Sequence, residues 1–242
     1  MPESVEILYL AWNRLSMTSA TWSWMLAHTN WDLVSKLVIY DDGSEDGTLE
    51  FLRGVTASGK IRRHHRDIPI ELRVSDLRAP PAIMNHFVAT CESDAFMKLD
   101  NDIAVPPDYL DKMASVLDRH PEIDLLGMEA GMTQDRDGVL HEGQDIVVCS
   151  HIGGVGLMRT AAFRSRPELP VRGRFGFDTW QQRYDVPRAW VTPDINCPQL
   201  DRVPLEPWVS LTEEYIEKGW SRPWPPYDES WMTPFWEWML EK

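Results

Sequence analysis

Cysteine is scarce in this chain, with three residues among 242, at Cys91, Cys149 and Cys197. Their odd number and wide spacing exclude a disulfide framework and a paired-cysteine metal site. We therefore expect buried thiols in a reducing compartment. The seven histidines form neither an HExxH nor an HxH pattern, which excludes the usual helical zinc motif.

Basic residues are also few, with 24 Lys and Arg against 38 Asp and Glu, so that the net charge is −14. An acidic balance argues against general binding to nucleic acid or to anionic membranes. No apolar run approaches the ~20 residues of a membrane-spanning helix. Residues 1–4 do not resemble a secretory signal. With 43% apolar residues, the sequence predicts a folded cytoplasmic protein with one sizeable domain.

Short apolar runs alternate with amphipathic segments along the first 120 residues. Four runs predict strands, the third of them weak: 4–11, 36–40, 69–74 and 95–99. The intervening and following helices are predicted from capping residues and proline pairs at Ser16, Asp46, Pro80-Pro81 and Pro106-Pro107. This alternation predicts an α/β fold with a mostly parallel central sheet flanked by helices. Ligands of such sheets bind beyond the carboxyl ends of the strands.

Two acidic clusters follow predicted strands. Asp100-Asn101-Asp102 can direct two carboxylates at one point, as a site for Mg²⁺ or Mn²⁺ requires, although acidic residues with Asn are also common in turns. In Asp41-Asp42-Gly43-Ser44, turn chemistry accounts for the glycine but not for two adjacent carboxylates. A carboxylate there can accept a hydrogen bond from a nucleobase N–H or a ribose hydroxyl.

These clusters carry a family resemblance. In their order and spacing they are similar to a family 2 glycosyltransferase with the Rossmann-like GT-A fold, and the likeness spans about residues 4–200. The segments that carry it are 10–14, 38–48, 100–102, 153–159 and 176–183.

The resemblance implies roles for residues on the donor side. Trp12 would stack on the nucleobase, while Asn13 and Arg14 would line the same pocket. The remaining nucleotide-binding candidates are Asp42 at the base or ribose, Asn85 on the donor side and Asp100 at the ribose or a metal-bound water. The metal residues would be Asp102 and Asp100, and the ion would be Mn²⁺ or Mg²⁺, which Asp102 would hold against the diphosphate.

The resemblance also implies an acceptor side. Gly153, Gly154 and Trp180 would border the sugar and the acceptor. Asp178 would be the general base that deprotonates the acceptor hydroxyl, and the alternative is a carboxylate at a helix N-terminus. Arg183 could contact phosphate or pair with Asp185 on a helix surface.

Two positions depart from the family pattern. Phe177 stands where a Glu usually precedes the base, and Gln199 stands where a His often completes the metal site. We therefore expect weaker metal binding, or a contribution from Asp201 or the substrate diphosphate. His141 and His151 are possible substitutes for the missing His.

Domain boundaries follow from composition. Residues 1–203 are predicted to form the catalytic domain, and residues 204–242 a Trp- and Pro-rich extension with six of the twelve tryptophans. We expect the extension to pack on the domain, with acceptor binding, a homodimer contact and membrane-surface anchoring as alternatives.

The predicted function is metal-dependent, inverting transfer of a sugar from a nucleoside diphosphate donor, with UDP favoured, to an acceptor hydroxyl of a carbohydrate or other molecule. A retaining outcome stays open because the fold serves both. One alternative is a nucleotidyltransferase that makes sugar nucleotides, although the loop at 12–16 contains no glycine. The other is a non-catalytic carbohydrate-binding protein of the same fold.

Overall fold

The computed structural model describes residues 2, 4–63, 66–128, 145–149, 152–153, 155–171, 177–191, 200 and 208–219. Its strands are β1 (Val5–Ala11), β2 (Val34–Asp42), β3 (Lys60–Arg63), β4 (Arg66–Ser75), β5 (Ala95–Asp100), β6 (Leu125–Gly127), β7 (Ile146–Val148), β8 (Gly156–Arg159) and β9 (Arg188–Val191). Its helices are α1 (Leu15–His28), α2 (Thr48–Thr56), α3 (Pro80–Thr90), α4 (Tyr109–Arg119), α5 (Thr160–Arg164), α6 (Phe177–Arg183) and α7 (Trp208–Glu217), with a 3₁₀ turn at Trp31–Leu33.

The described strands form one nine-stranded sheet in the order β3-β4-β2-β1-β5-β8-β6-β9-β7. The α/β class is confirmed, but the expectation of a mostly parallel sheet is wrong. Strands β4, β2, β1 and β5 are parallel neighbours, whereas the described part of the sheet has as many antiparallel as parallel pairings. The parallel block comes from the first 100 residues, where helices connect the strands. Beyond it β8 runs antiparallel to both of its neighbours, β5 and β6.

Helix starts follow the predicted positions with two differences. The proline pair begins α3 at Pro80, as predicted, but α4 begins at Tyr109 rather than at Pro106-Pro107. Ser16 lies inside α1 and does not cap it. The cap comes instead from Asp46, whose Oδ2 accepts a hydrogen bond of 2.9 Å from the backbone N–H of Leu15. The first helix is therefore held by the loop after β2.

Apolar side chains cover both faces of the sheet. All seven residues of β1 are buried, as a central strand with helices on both sides requires. One face packs against α1 and α4 through residues such as Trp24 and Leu110. The other face packs against α3, α5 and α6 through an aromatic cluster that includes Phe87 and Phe163. Ligand-binding side chains are therefore expected at the ends of the strands and in the segments that follow them.

Within the described residues, no helix has the length and hydrophobicity to cross a bilayer. Of the predicted extension, only 208–219 is described. Tyr215 of α7 is buried, and its hydroxyl lies 3.5 Å from that of Ser16 on α1. The five tryptophans from Trp220 onward lie outside the described residues.

Candidate active site

The carboxyl ends of three adjacent strands carry the predicted donor-side residues. In the central block, Ala11 of β1 pairs with Asp41 of β2, and Leu10 of β1 pairs with Asp100 of β5. The chain segments that follow these strands therefore leave the same edge of the sheet side by side. Clusters that are about 30 and 60 residues apart in sequence meet there, as the position of ligand sites in such sheets predicts.

The loop after β1 has an unusual backbone. Asn13 and Arg14 both have left-handed conformations, with φ of 54° and 67°. Residues with a Cβ adopt this conformation infrequently, so the surrounding contacts must hold it. Arg14 is also the N-cap residue of α1. The loop thus turns sharply from β1 into the helix directly above the sheet edge.

Asn13 acts as a brace between loops. It is only 1% exposed, its backbone N–H donates to Ser44 Oγ at 2.8 Å, and its Oδ1 accepts from the N–H of Glu45 at 2.7 Å. The family resemblance implies that Asn13 lines the nucleotide pocket. In the structure its side-chain oxygen is used by the loop after β2, so its contribution to the site is to hold that loop in place.

Asn101 has a comparable role that the sequence reasoning missed. Its Nδ2 donates to the carbonyl of Asn13 at 2.6 Å and to Thr18 Oγ1 at 2.7 Å. Its backbone N–H donates to the carbonyl of Leu10 at 3.0 Å, and its carbonyl accepts from Thr21 Oγ1 at 2.9 Å. The middle residue of the Asp-x-Asp motif therefore ties the two acidic residues to the loop after β1.

Asp100 and Asp102 are each paired with a cation. Lys98 Nζ lies 2.5 Å from Asp100 Oδ1, and Arg14 Nη1 forms an ion pair with Asp102 Oδ2. The other oxygen of Asp102, Oδ1, is buried without a hydrogen-bond partner in the described part of the chain. Burial, followed by the charge of Asp102, raises the pKa of Asp100, and Lys98 acts in the opposite direction.

The carboxylates of Asp100 and Asp102 fit a divalent cation, because Oδ1 of Asp102 is buried and has no partner among the described residues. Among the described residues no group of three His, Cys, Asp or Glu side chains is arranged to hold a metal ion. Mg²⁺ and Mn²⁺ in phosphate-handling sites commonly use one or two carboxylates, with substrate phosphates and water as the other ligands. Asp102, through Oδ1, and Asp100 are therefore the residues that would hold such an ion.

Asp41 and Asp42 lie at the end of β2 and hold the adjacent loops. Asp41 is buried, its Oδ1 accepts from the N–H of Ser44 at 3.1 Å, and its Oδ2 has no partner within the described chain. Asp42 Oδ1 accepts from the N–H of Arg78 at 2.9 Å, and burial raises the pKa of this carboxyl. Arg78, which also pairs with Glu45, is a second residue of this edge that the sequence reasoning did not single out.

Of the remaining donor-side candidates, the structure keeps one at this edge and places one elsewhere. Trp12 is half-buried and follows β1 directly, beside Asn13. Asn85 lies on α3, where its Nδ2 donates to the carbonyl of Leu169 and its Oδ1 accepts from the N–H of Leu169, both at 2.9 Å. Its amide therefore joins α3 to the segment after α5, and both of its polar atoms are already in use.

The predicted acceptor-side residues divide similarly. Trp180 is fully buried, its ring stacks on Phe163 at 4.8 Å, and its indole N–H donates to the carbonyl of Pro167 at 2.7 Å. This corrects the expectation that Trp180 borders the acceptor, because a buried ring offers no face to a ligand. Phe177, at the place of the family's Glu, stacks parallel to Phe163 in the same cluster.

Asp178 is the second residue of α6, so its backbone lies in the first turn of that helix. Gly153 is half-buried ahead of β8. Arg183 lies over the ring of Tyr184 at 5.7 Å. Several predicted residues fall outside the described part of the chain: Gly154, His141, His151, Gln199 and Asp201.

Comparison with known families decides the class. The model of the family "Glycosyl transferase family 2" matches residues 11–158, which is more than half of the chain. The chain belongs to glycosyl transferase family 2. The matched range begins at the end of β1 and contains every donor-side residue discussed above, from Trp12 to Asp102. The family resemblance noted from the sequence is confirmed.

Solved glycosyltransferases share the fold of this family 2 chain. The mannosyltransferase PcManGT from Pyrobaculum calidifontis, in complex with GDP-Man and Mn²⁺, has a TM-score of 0.61 and 14% identity, over 98% of this chain and 68% of that chain. GalNAc-T7, with UDP, GalNAc and Mn²⁺, has a TM-score of 0.61 and 11% identity, over 97% and 54%. TarS 1–349 of S. aureus, with UDP, has a TM-score of 0.57 and 12% identity, over 80% and 60%.

Proposed function

We propose that this family 2 protein is a metal-dependent, inverting glycosyltransferase. It would transfer a sugar from a nucleoside diphosphate donor to an acceptor hydroxyl, with Mn²⁺ or Mg²⁺ at the diphosphate. The observation that carries the proposal is the meeting of Trp12, Arg14, Asp42, Asp100 and Asp102 at the carboxyl ends of β2, β1 and β5, within the matched family range.

The chemistry of this edge suits a nucleoside diphosphate. Trp12, half-buried directly after β1, has the type of side chain that stacks on a nucleobase. Asp42 supplies a carboxylate for a base N–H or a ribose hydroxyl. Arg14 supplies a guanidinium, whose planar set of donors matches phosphate oxygens. A metal ion at Asp102 would neutralise the charge that develops on the diphosphate as it leaves.

UDP is the donor nucleotide that we favour. TarS and GalNAc-T7 have structures with UDP, while PcManGT has one with GDP-Man. These relatives are 11–14% identical to the chain, so the fold is what they share with it. This chain also spans only 60% of TarS 1–349 and 54% of GalNAc-T7.

Asp178 is the proposed general base. It would take the proton of the acceptor hydroxyl while the acceptor oxygen bonds to the anomeric carbon and the bond from that carbon to the diphosphate oxygen breaks. Its place in the first turn of α6 also supports the alternative, a carboxylate that stabilises the helix N-terminus. The anomeric configuration of the product, determined by NMR, distinguishes inversion from retention.

Isothermal titration calorimetry tests the donor site. UDP, GDP and dTDP are each titrated into the protein with Mn²⁺ present, and Asp102→Ala is compared with the wild type. The control is Asp67→Asn, because Asp67 pairs with Lys60 at the exposed hairpin of β3 and β4. We expect UDP to bind the wild type and the control and to bind Asp102→Ala much more weakly. Absence of binding by all three nucleotides in the wild type would contradict the donor site.

A further inference from the structure

The two carboxylates of the Asp-x-Asp motif are neutralised in different ways. Lys98 and Asp100 alternate along β5, so their side chains lie on one face of the strand and the pairing is built into it. Lys98 is almost fully buried, with 4% of its side chain exposed. The partner of Asp102 comes instead from a loop, 88 residues earlier in the chain.

Arg14 neutralises the same carboxylate that a metal ion at Asp102 would bind. Its Nη1 contacts Oδ2 of Asp102, and both side chains are largely buried, 13% and 6% exposed. Oδ1 of the same carboxylate has no hydrogen-bond partner in the described chain. A divalent cation bound at Oδ1 would share the Asp102 carboxylate with the guanidinium of Arg14. Two cations on one carboxylate in a poorly solvated site repel each other strongly.

We propose that Arg14 competes with the divalent cation for Asp102. The nucleotide-free protein then binds the metal weakly, because Arg14 already neutralises the carboxylate. A nucleoside diphosphate offers the guanidinium a second anionic partner, since Arg pairs well with phosphate oxygens. Metal and nucleotide therefore bind cooperatively, and Arg14 couples the two. This inference rests on the proposed function and adds the residue that couples metal binding to nucleotide binding.

Mn²⁺ binding without nucleotide tests the competition directly. Electron paramagnetic resonance of free Mn²⁺ gives the affinity of the wild type, Arg14→Met, Arg14→Lys and the control Arg53→Met. Arg53 is exposed on α2 and pairs with Glu50, so its substitution removes one positive charge elsewhere. We expect Arg14→Met to bind Mn²⁺ about tenfold more tightly than the wild type, which corresponds to about 1.4 kcal/mol, because the ion no longer shares the Asp102 carboxylate with a guanidinium. Arg14→Lys should lie between them, and Arg53→Met should match the wild type.

Coupling to the nucleotide is measured in the same experiment. UDP should tighten Mn²⁺ binding in the wild type by a larger factor than in Arg14→Met, and by linkage Mn²⁺ should tighten UDP binding by the same factor. The complex of Mn²⁺ with free UDP contributes equally to both proteins, so the difference between them isolates Arg14.

Removal of Arg14 leaves a buried carboxylate without its cation, so Arg14→Met is expected to be less stable without metal. Urea unfolding of Arg14→Met and Arg14→Lys, followed by circular dichroism with and without Mn²⁺, measures this loss of stability. We expect Mn²⁺ to restore the lost stability. If the wild type binds Mn²⁺ with UDP while neither variant gains Mn²⁺ affinity or stabilisation by Mn²⁺, the competition is wrong and the glycosyltransferase proposal stands. If no protein binds Mn²⁺ with UDP or GDP, both proposals are wrong.

Discussion

Substitution of Asn101 by Ala should loosen the connection between the Asp-x-Asp turn and the loop after β1. The side chain donates two hydrogen bonds, at 2.6 Å to the Asn13 carbonyl and at 2.7 Å to Thr18 Oγ1. Thr18 Oγ1 keeps its own bond to the carbonyl of Arg14 at 3.0 Å. The Asn13 carbonyl keeps only a longer bond of 3.4 Å from Thr18 Oγ1. Loss of the two buried bonds of Asn101 should lower the free energy of unfolding by about 2–3 kcal/mol.

Asn30→Ala is the matched control. Asn30 also makes two side-chain hydrogen bonds, to Asp111 Oδ1 at 2.7 Å and from the N–H of Asp32 at 3.1 Å, but it is only partly buried and lies away from the sheet edge. We expect its substitution to lower the free energy of unfolding by about 1 kcal/mol. Urea unfolding followed by circular dichroism measures both variants, and calorimetry measures UDP binding with Mn²⁺.

Asn101→Ala should weaken UDP binding, because Asp102 and Asn13 lose their common support, whereas Asn30→Ala should leave it unchanged. Equal stability losses in the two variants, with unchanged UDP binding by Asn101→Ala, would refute the bracing role of Asn101.

Three further predictions concern other parts of the chain. If Asp178 is the general base, Asp178→Asn should reduce turnover by roughly two to four orders of magnitude and leave donor binding nearly unchanged. Loss of both donor binding and folding in this variant would instead assign Asp178 a structural role. Glu122 and Asp145 raise the pKa of His120. The stability that this pairing adds should therefore be complete below the ordinary pKa of histidine and disappear as the pH rises through the raised value. Urea midpoints measured across that pH range should lose this pH dependence in His120→Gln, and a pH profile unchanged by the substitution would contradict the pairing. Trp180→Ala should lower the free energy of unfolding, measured by urea denaturation, by about 3–5 kcal/mol because the ring is fully buried. A loss below about 1 kcal/mol would contradict the place of Trp180 in the core.

Local signals in the sequence were sufficient to predict the parallel block and the edge at which the acidic clusters meet. The runs that became β1, β2 and β5 are continuous and apolar because both of their faces are buried. The acidic clusters follow directly, so their meeting at one edge can be inferred from the fold class alone. The proline pair at Pro80 similarly marks a helix start, because its fixed φ suits the first turn.

Other features depend on contacts between distant residues, which a local pattern does not contain. The cap of α1 comes from Asp46, which is 31 residues from the Leu15 N–H that it accepts. The left-handed backbone of Arg14 and its pairing with Asp102 depend on the packing of two loops. The short strands β7 and β8 are too brief to show an alternating pattern of their own, so the antiparallel part of the sheet was missed.

One aromatic and one amide residue among the predicted site residues show the same limit. Trp180 suits a sugar-stacking role by residue type, but the pattern of its helix does not reveal that Phe163 covers it. Asn85 lies on a predicted helix, and its partner Leu169 is 84 residues away. Residue type indicates which chemistry is available, and tertiary packing decides which side chains can reach a ligand.

A crystal structure of the protein with UDP and Mn²⁺ tests the central claim most directly. The account predicts an anomalous manganese peak about 2.1 Å from an oxygen of Asp102, bridged to the diphosphate, with the uridine beside Trp12 at the ends of β1 and β2. A nucleotide bound elsewhere, or a manganese ion that does not contact Asp102, would contradict it.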